Sequence, residues 1–213
     1  MINKQHIYIV ALLLAMVACD SPSQQKSAEN AAMPDREAEA IRQQVDKDTM
    51  LLQATDEILA IMKARDYRKL AEHFHSEEGV RFSPYGYIDT AHHVQLGSSM
   101  FIKLLEEEKP IIWGSYDGTG KEISMPVEAY FDKFVYDVDF LNAEQKSVNE
   151  ILGKGNSLVN IQQVFPGADF TESHFSGFDE KYGGMDWRSL RLIFRPEAGK
   201  PRLVGIVHDQ WTI

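Results

Sequence analysis

The residues whose types best suit chemistry lie near the carboxyl end. In Gly205-Ile206-Val207-His208-Asp209-Gln210-Trp211, a strand period of two sets His208 with Ile206 and Gln210, and Asp209 with Val207 and Trp211. A neighbouring run adds two guanidinium groups, Arg188 and Arg191. Glu172 and His174 share a face of a strand of their own. Polar groups inside apolar strands are costly to bury unless they are paired. Two arrangements fit. One is an ion-pair and hydrogen-bond network that closes a sheet. The other is a pocket on a concave face, where Arg188 or Arg191 holds an anion and His208 titrates near neutrality. The candidate pocket residues are therefore Glu172, His174, Arg188, Arg191, His208, Asp209 and Trp211.

Other chemistries find less support. In Tyr136-Asp137-Val138-Asp139-Phe140, a strand would put both carboxylates on one face, roughly 7 Å apart. That suits acid/base work or a Ca²⁺ ion, but equally a strand with a buried aromatic face and a wet acidic one. His73 and His75 would point about 200° apart on a helix, and His92 and His93 diverge on any element. No H-x-x-x-H or H-E-x-x-H spacing occurs, so neither a metal site nor a cofactor is expected. There is no G-x-S-x-G elbow, and no residue is assigned as catalytic. Gly118-Thr119-Gly120-Lys121 and Gly153-Lys154-Gly155-Asn156 lack the spacing of phosphate loops and read as turns.

The elements that must position these groups begin after an address. Twelve apolar residues, Ile7 to Ala18, follow Lys4 and precede Cys19, the single cysteine. A spanning helix needs about 20 apolar residues, so this run fits the apolar region of a secretory signal. Met16 is too large for an ordinary signal-peptidase site. Met16-Val17-Ala18-Cys19 resembles the bacterial lipobox, which implies acylation of Cys19 and removal of residues 1–18. Three acyl chains give a stable anchor. Residues 19–34 hold no aromatic and read as a flexible tether. The 213 residues carry a formal charge of -10, and no Lys/Arg cluster supplies a footprint for nucleic acid. The acidic excess disfavours docking on anionic headgroups, so the membrane partner is expected to be met through the acyl chains.

Residues 35–213 read as one domain. Ile41, Val45, Leu52, Leu59 and Met62 recur at helical steps, which predicts one long helix; a break at 46–49 is the alternative. Asp66 suits the cap of a second helix. Further helices are expected over about 99–107 and after Pro126, and strands at 80–82 and 110–113. The last third reads as strands at 158–165, 169–175, 189–195 and 203–211, with Glu197–Pro201 as a hairpin turn. Helices first and antiparallel strands later mean α+β. A long helix across a curved antiparallel sheet looks like the cystatin/NTF2-like layout.

Five segments together resemble a family of uncharacterised bacterial lipoproteins: Gly79–Asp89, Trp113–Gly120, Phe134–Ala143, Gly184–Leu192 and Leu203–Ile213. The resemblance implies an exported, lipid-anchored domain facing the periplasm or exterior and brings no catalytic residues. The expected function is a binding module of the cell envelope for a small ligand or an envelope protein. The alternative is a small hydrolase or isomerase using His208 with Asp209 or Asp139.

Overall fold

The computed structural model describes residues 23–155 and 158–212, with side chains from Asp35 onward. Cys19 and the signal segment 1–18 lie outside the described residues. The chain divides into two units, Met1–Gln44 and Val45–Ile213. In the first, the described residues belong to helix α1 (Ser23–Lys63), and side chains 35–44 are exposed. This helix begins inside the stretch expected to be a tether, so helical backbone starts before the apolar pattern does.

In the second unit, α1 buries Leu51, Thr55, Ile58, Leu59 and Met62, one stripe at steps of three and four. No break occurs at 46–49. Thr49 donates its hydroxyl to the carbonyl of Val45 at 2.8 Å, a bond within the helix that replaces the cap a new helix would need. Asp66 caps α2 (Tyr67–Ala71) by accepting from the Lys69 amide at 3.1 Å. Then follow β1 (Val80–Ser83), β2 (Gln95–Leu96), α3 (Ser98–Glu107), the β3–β4 hairpin (Ile111–Ser115, Glu122–Met125) and α4 (Val127–Phe134). The carboxyl-terminal part comprises β5 (Gln145–Val148), α5 (Ile161–Val164), β6 (Asp169–Phe175), β7 (Arg188–Glu197) and β8 (Lys200–Gln210).

Among the described residues the main sheet runs β2-β1-β8-β7-β6-β5. Its pairings are antiparallel except β1 with β8. The unit is therefore α+β. Helices and the β3–β4 hairpin cover one face, where Leu190, Leu192, Phe194 and Ile206 enter the larger core. Phe82 lies at its centre, 5.5 Å from Trp113 and 5.9 Å from Phe101 between ring centroids. Truncating such a ring to alanine costs about 3–5 kcal/mol. The other face carries Phe170, Ile193, Val204 and Val207 and is covered by the connection between β5 and β6.

That covering segment corrects one expectation. Residues 158–165 are not a strand. Ile161, Val164 and Phe165 stand at i, i+3 and i+4, and a short helix brings all three onto the second core. Residues 136–140 are not a strand either; they form a turn leading into a 3-10 helix at Phe140–Asn142. Among the described residues no helix is long and apolar enough to cross a membrane.

Candidate functional site

The carboxyl-terminal polar residues do not share one concave pocket. Arg188 and Arg191 are three apart on β7 and so leave it on opposite faces. Arg191 stands opposite Glu172 on β6, and Asp209 lies one pleat along on β8. The Arg191 Nε donates to Glu172 Oε2 at 3.0 Å, Nη1 to Asp209 Oδ2 at 2.8 Å, and Nη2 to the Gly153 carbonyl at 3.0 Å. Glu172 also accepts from the amides of Leu152 and Gly153 at 3.0 and 2.8 Å. All three ionic side chains are buried. Burial pushes Asp209 above the usual carboxylate range, with the charge and hydrogen bond of Arg191 opposing it. His174, on the same face, pairs through Nδ1 with Ser189 Oγ at 2.8 Å.

On the opposite face Asp137 joins Arg188 and His208. It accepts from Arg188 Nε at 2.9 Å, and its Oδ1 lies 3.1 Å from His208 Nε2. The other ring nitrogen of His208 lies 3.3 Å from the carbonyl of Pro84. His208 is buried between Phe134 and Phe140, whose rings meet it edge-on at 6.5 and 6.4 Å. Burial raises Asp137, but the hydrogen bonds and charges of His208 and Arg188 more than offset it and hold the carboxyl below its usual range. The acid/base pairs considered for His208 are not formed: Asp209 serves Arg191, and Asp139 serves Lys63 at 2.6 Å and Tyr136 at 2.7 Å. Trp211 lies beyond the end of β8 and is partly exposed. The structure joins Glu172, Arg191 and Asp209 on one face of the sheet, and Arg188 and His208 through Asp137 on the other.

Both networks converge on one loop. The carbonyl of Pro84 faces His208, and the backbone of Gly86 lies so close to Asp209 that an added Cβ would sit 2.5 Å from Oδ2. Ile88 is held from the covering segment by Asn160: its amide donates to Asn160 Oδ1 at 2.8 Å, and its carbonyl accepts from Nδ2 at 3.0 Å. Within the loop, Asp89 takes His92 Nδ1 at 2.6 Å and the Ala91 amide at 2.9 Å, and the bond from His92 lowers its pKa. His93 turns inward. Its Nδ1 accepts from the Asp89 amide at 3.1 Å and lies 3.0 Å from Ser83 Oγ. An accepting Nδ1 places the proton of the neutral ring on Nε2. Gly114, at φ +143, leaves room for this ring, since a Cβ there would meet His93 Cδ2 at 2.9 Å.

The loop and the turn of the β3–β4 hairpin enclose an open cleft of about 420 Å³. Tyr85, Tyr87, Asp89, His93, Tyr116 and Asp117 are among its walls. Tyr116 is fixed from behind: Lys133 Nζ donates to its hydroxyl at 2.8 Å and lies 4.7 Å from the ring centroid. Tyr85 packs edge-on against Phe134 at 5.9 Å, and burial raises its hydroxyl's pKa.

The chain matches no family model, no curated protein and no solved structure.

The cleft brings together tyrosine rings, carboxylates and one Ser–His contact. Ser83 and His93 are adjacent, but Ser83 is buried and hydrogen-bonded to the carbonyl of Tyr85 at 2.7 Å. Burial pushes His93 down to about 4, too weak a base to activate a hydroxyl near neutral pH. Among the described residues no group of three or more His, Cys, Asp or Glu is placed to hold a metal. The sequence signal for this cleft was present but split: an irregular aromatic stretch at 85–89 and a Gly-rich turn at 117–120.

Proposed function

We propose that the protein is a binding module of a bacterial cell envelope, tethered to a membrane through acyl chains on Cys19 and facing the periplasm or exterior. One observation carries the binding reading: an open cleft whose loop is clamped by Pro84–His208, Ile88–Asn160 and Ser83–His93 contacts. Walls held in place before a ligand arrives lose little freedom on binding. The tether rests on Met16-Val17-Ala18-Cys19 and on the resemblance to uncharacterised lipoproteins. The cystatin/NTF2-like layout belongs to the same proposal, supported by a long helix ahead of a mainly antiparallel sheet.

The hydrolase or isomerase reading lacks such support, because His208 is buried and committed to Asp137 and Pro84. Two readouts test the proposal. An alkyne-bearing fatty acid fed to cells should label the wild-type chain and not Cys19→Ala; equal labelling ends the anchor claim. Crosslinking from a photoreactive residue at Tyr87 in intact cells should capture a ligand-bearing species. If the same residue placed at exposed Glu77 gives the identical pattern, the cleft is not the binding site.

A further inference from the structure

We infer that the cleft takes a neutral, hydroxyl-rich ligand, a mono- or disaccharide-sized group, held by tyrosine rings and carboxylate acceptors. The inference rests on the cleft being the binding site.

The walls exclude the charged classes in turn. Asp89 and Asp117 line the cleft, and among the described lining residues there is neither Lys nor Arg. The chain as a whole carries -10. An anion would enter against two carboxylates with no guanidinium or ammonium to meet it; of the two lining imidazoles, His92 is taken by Asp89 and His93 is held neutral by burial. An organic cation meets the opposite difficulty. The ammonium of Lys133 already occupies the Tyr116 ring and hydroxyl. The guanidinium of Arg81 backs the loop, donating to the carbonyls of Thr90 at 3.2 Å and His93 at 2.8 Å. Two cations behind the walls thus offset the two carboxylates in front of them. A cation–π site gains most from a desolvated ring that carries no other cation.

What remains is a surface with ring faces, acceptors and hydroxyls but little net charge. Tyr85, Tyr87 and Tyr116 supply flat apolar area with a polar tip. Ser115 and the tyrosine hydroxyls both donate and accept, while the carboxylates only accept. A pyranose has the matching parts: a C–H face to lie on a ring, and adjacent hydroxyls to donate to a carboxylate. The volume of about 420 Å³ falls in the range of roughly 300–1,000 Å³ that holds small ligands.

The test uses the full chain, purified in a detergent without a sugar headgroup, and follows Tyr87 and Asp117 resonances by NMR. Both residues are exposed, so Tyr87→Ala and Asp117→Asn should fold normally. The probes are chitobiose, maltose and cellobiose, with choline and inorganic phosphate as charged alternatives. At least one disaccharide should saturate the cleft resonances, and each variant should weaken it tenfold or more. Choline or phosphate binding there instead overturns the saccharide class and leaves the binding-site reading standing. Disaccharide binding that neither variant weakens lies elsewhere and overturns the assignment to this cleft. Silence from every probe overturns both.

Discussion

Asn160 holds the backbone of Ile88 from both sides, taking its amide at 2.8 Å and giving a proton to its carbonyl at 3.0 Å. The two residues lie 72 positions apart, and both are buried. Asn160 belongs to the segment covering one face of the sheet; Ile88 belongs to the loop that walls the cleft. Through this clasp the loop is bound to the sheet's covering layer. His208 binds the same loop at Pro84 from the opposite face. Buried polar groups of the sheet and of its covering segment thus fix the loop of the cleft.

The ionic cluster has a directional consequence. Arg191→Met strands Glu172 and Asp209 as buried carboxylates and should cost about 3–5 kcal/mol in urea unfolding. Adding Asp209→Leu removes one stranded charge while Glu172 keeps the amides of Leu152 and Gly153. The double variant should therefore be more stable than Arg191→Met alone. If it is less stable, the two carboxylates do not share the guanidinium as described.

Acid should weaken the fold through His93. Burial lowers its pKa from 6.5 to about 4, so the folded state favours the neutral ring. A depressed folded pKa gives stability that is complete above 6.5 and is lost as pH falls toward about 4. His73 and His174 are lowered by burial in the same sense. Urea midpoints measured across this window should decline, and His93→Gln should make the decline shallower. An unchanged slope would mean that His93 is not a buried neutral ring.

Asp137 acts at lower pH. Its folded value lies below the ordinary 3.8, so its contribution is present above that value and disappears as pH falls through the folded one. Asp137→Asn should cost about 1.5–3 kcal/mol at neutral pH, the range for hydrogen bonds to charged groups. It should also remove part of the stability loss below pH 3.8. A neutral-pH cost below about 0.5 kcal/mol, the size of an ordinary surface change, would show that Arg188 and His208 do not depend on it.

Much of the fold was legible in the sequence. The long helix α1, the Asp66 cap and the β7–β8 hairpin follow from local period and turn chemistry, with Ala198 and Gly199 both at positive φ in the turn. The expected stripe of α1 holds only at Leu59 and Met62: Ile41 and Val45 are exposed, and Leu51, Thr55 and Ile58 are the other buried positions of the stripe. Short strands escaped it. β2, β4 and β5 contain two to four residues each, too few to display a period. Over 158–165 alternation and helical spacing share positions, so a strand pattern and the short helix at Ile161–Val164 look alike in the sequence. At the site, period two assigned His208 and Asp209 to opposite faces. It could not reveal that both faces are covered, because the covers come from 149–155, 158–168 and the helices. The cleft stayed hidden for a similar reason. Its walls come from two loops some thirty residues apart, and only the folded chain brings Asp117 beside Tyr85.

Hydrogen exchange at the Ile88 amide tests the clasped loop most directly. Asn160→Leu leaves that amide and its carbonyl without partners, a penalty of about 1–3 kcal/mol. Protection at Ile88 and Asp89 should drop tenfold or more beyond any loss at Leu192 in the centre of β7, since 1.4 kcal/mol is a factor of ten. Equal losses at Ile88 and Leu192, or none at Ile88, would contradict a cleft loop held in place by the buried Asn160 clasp.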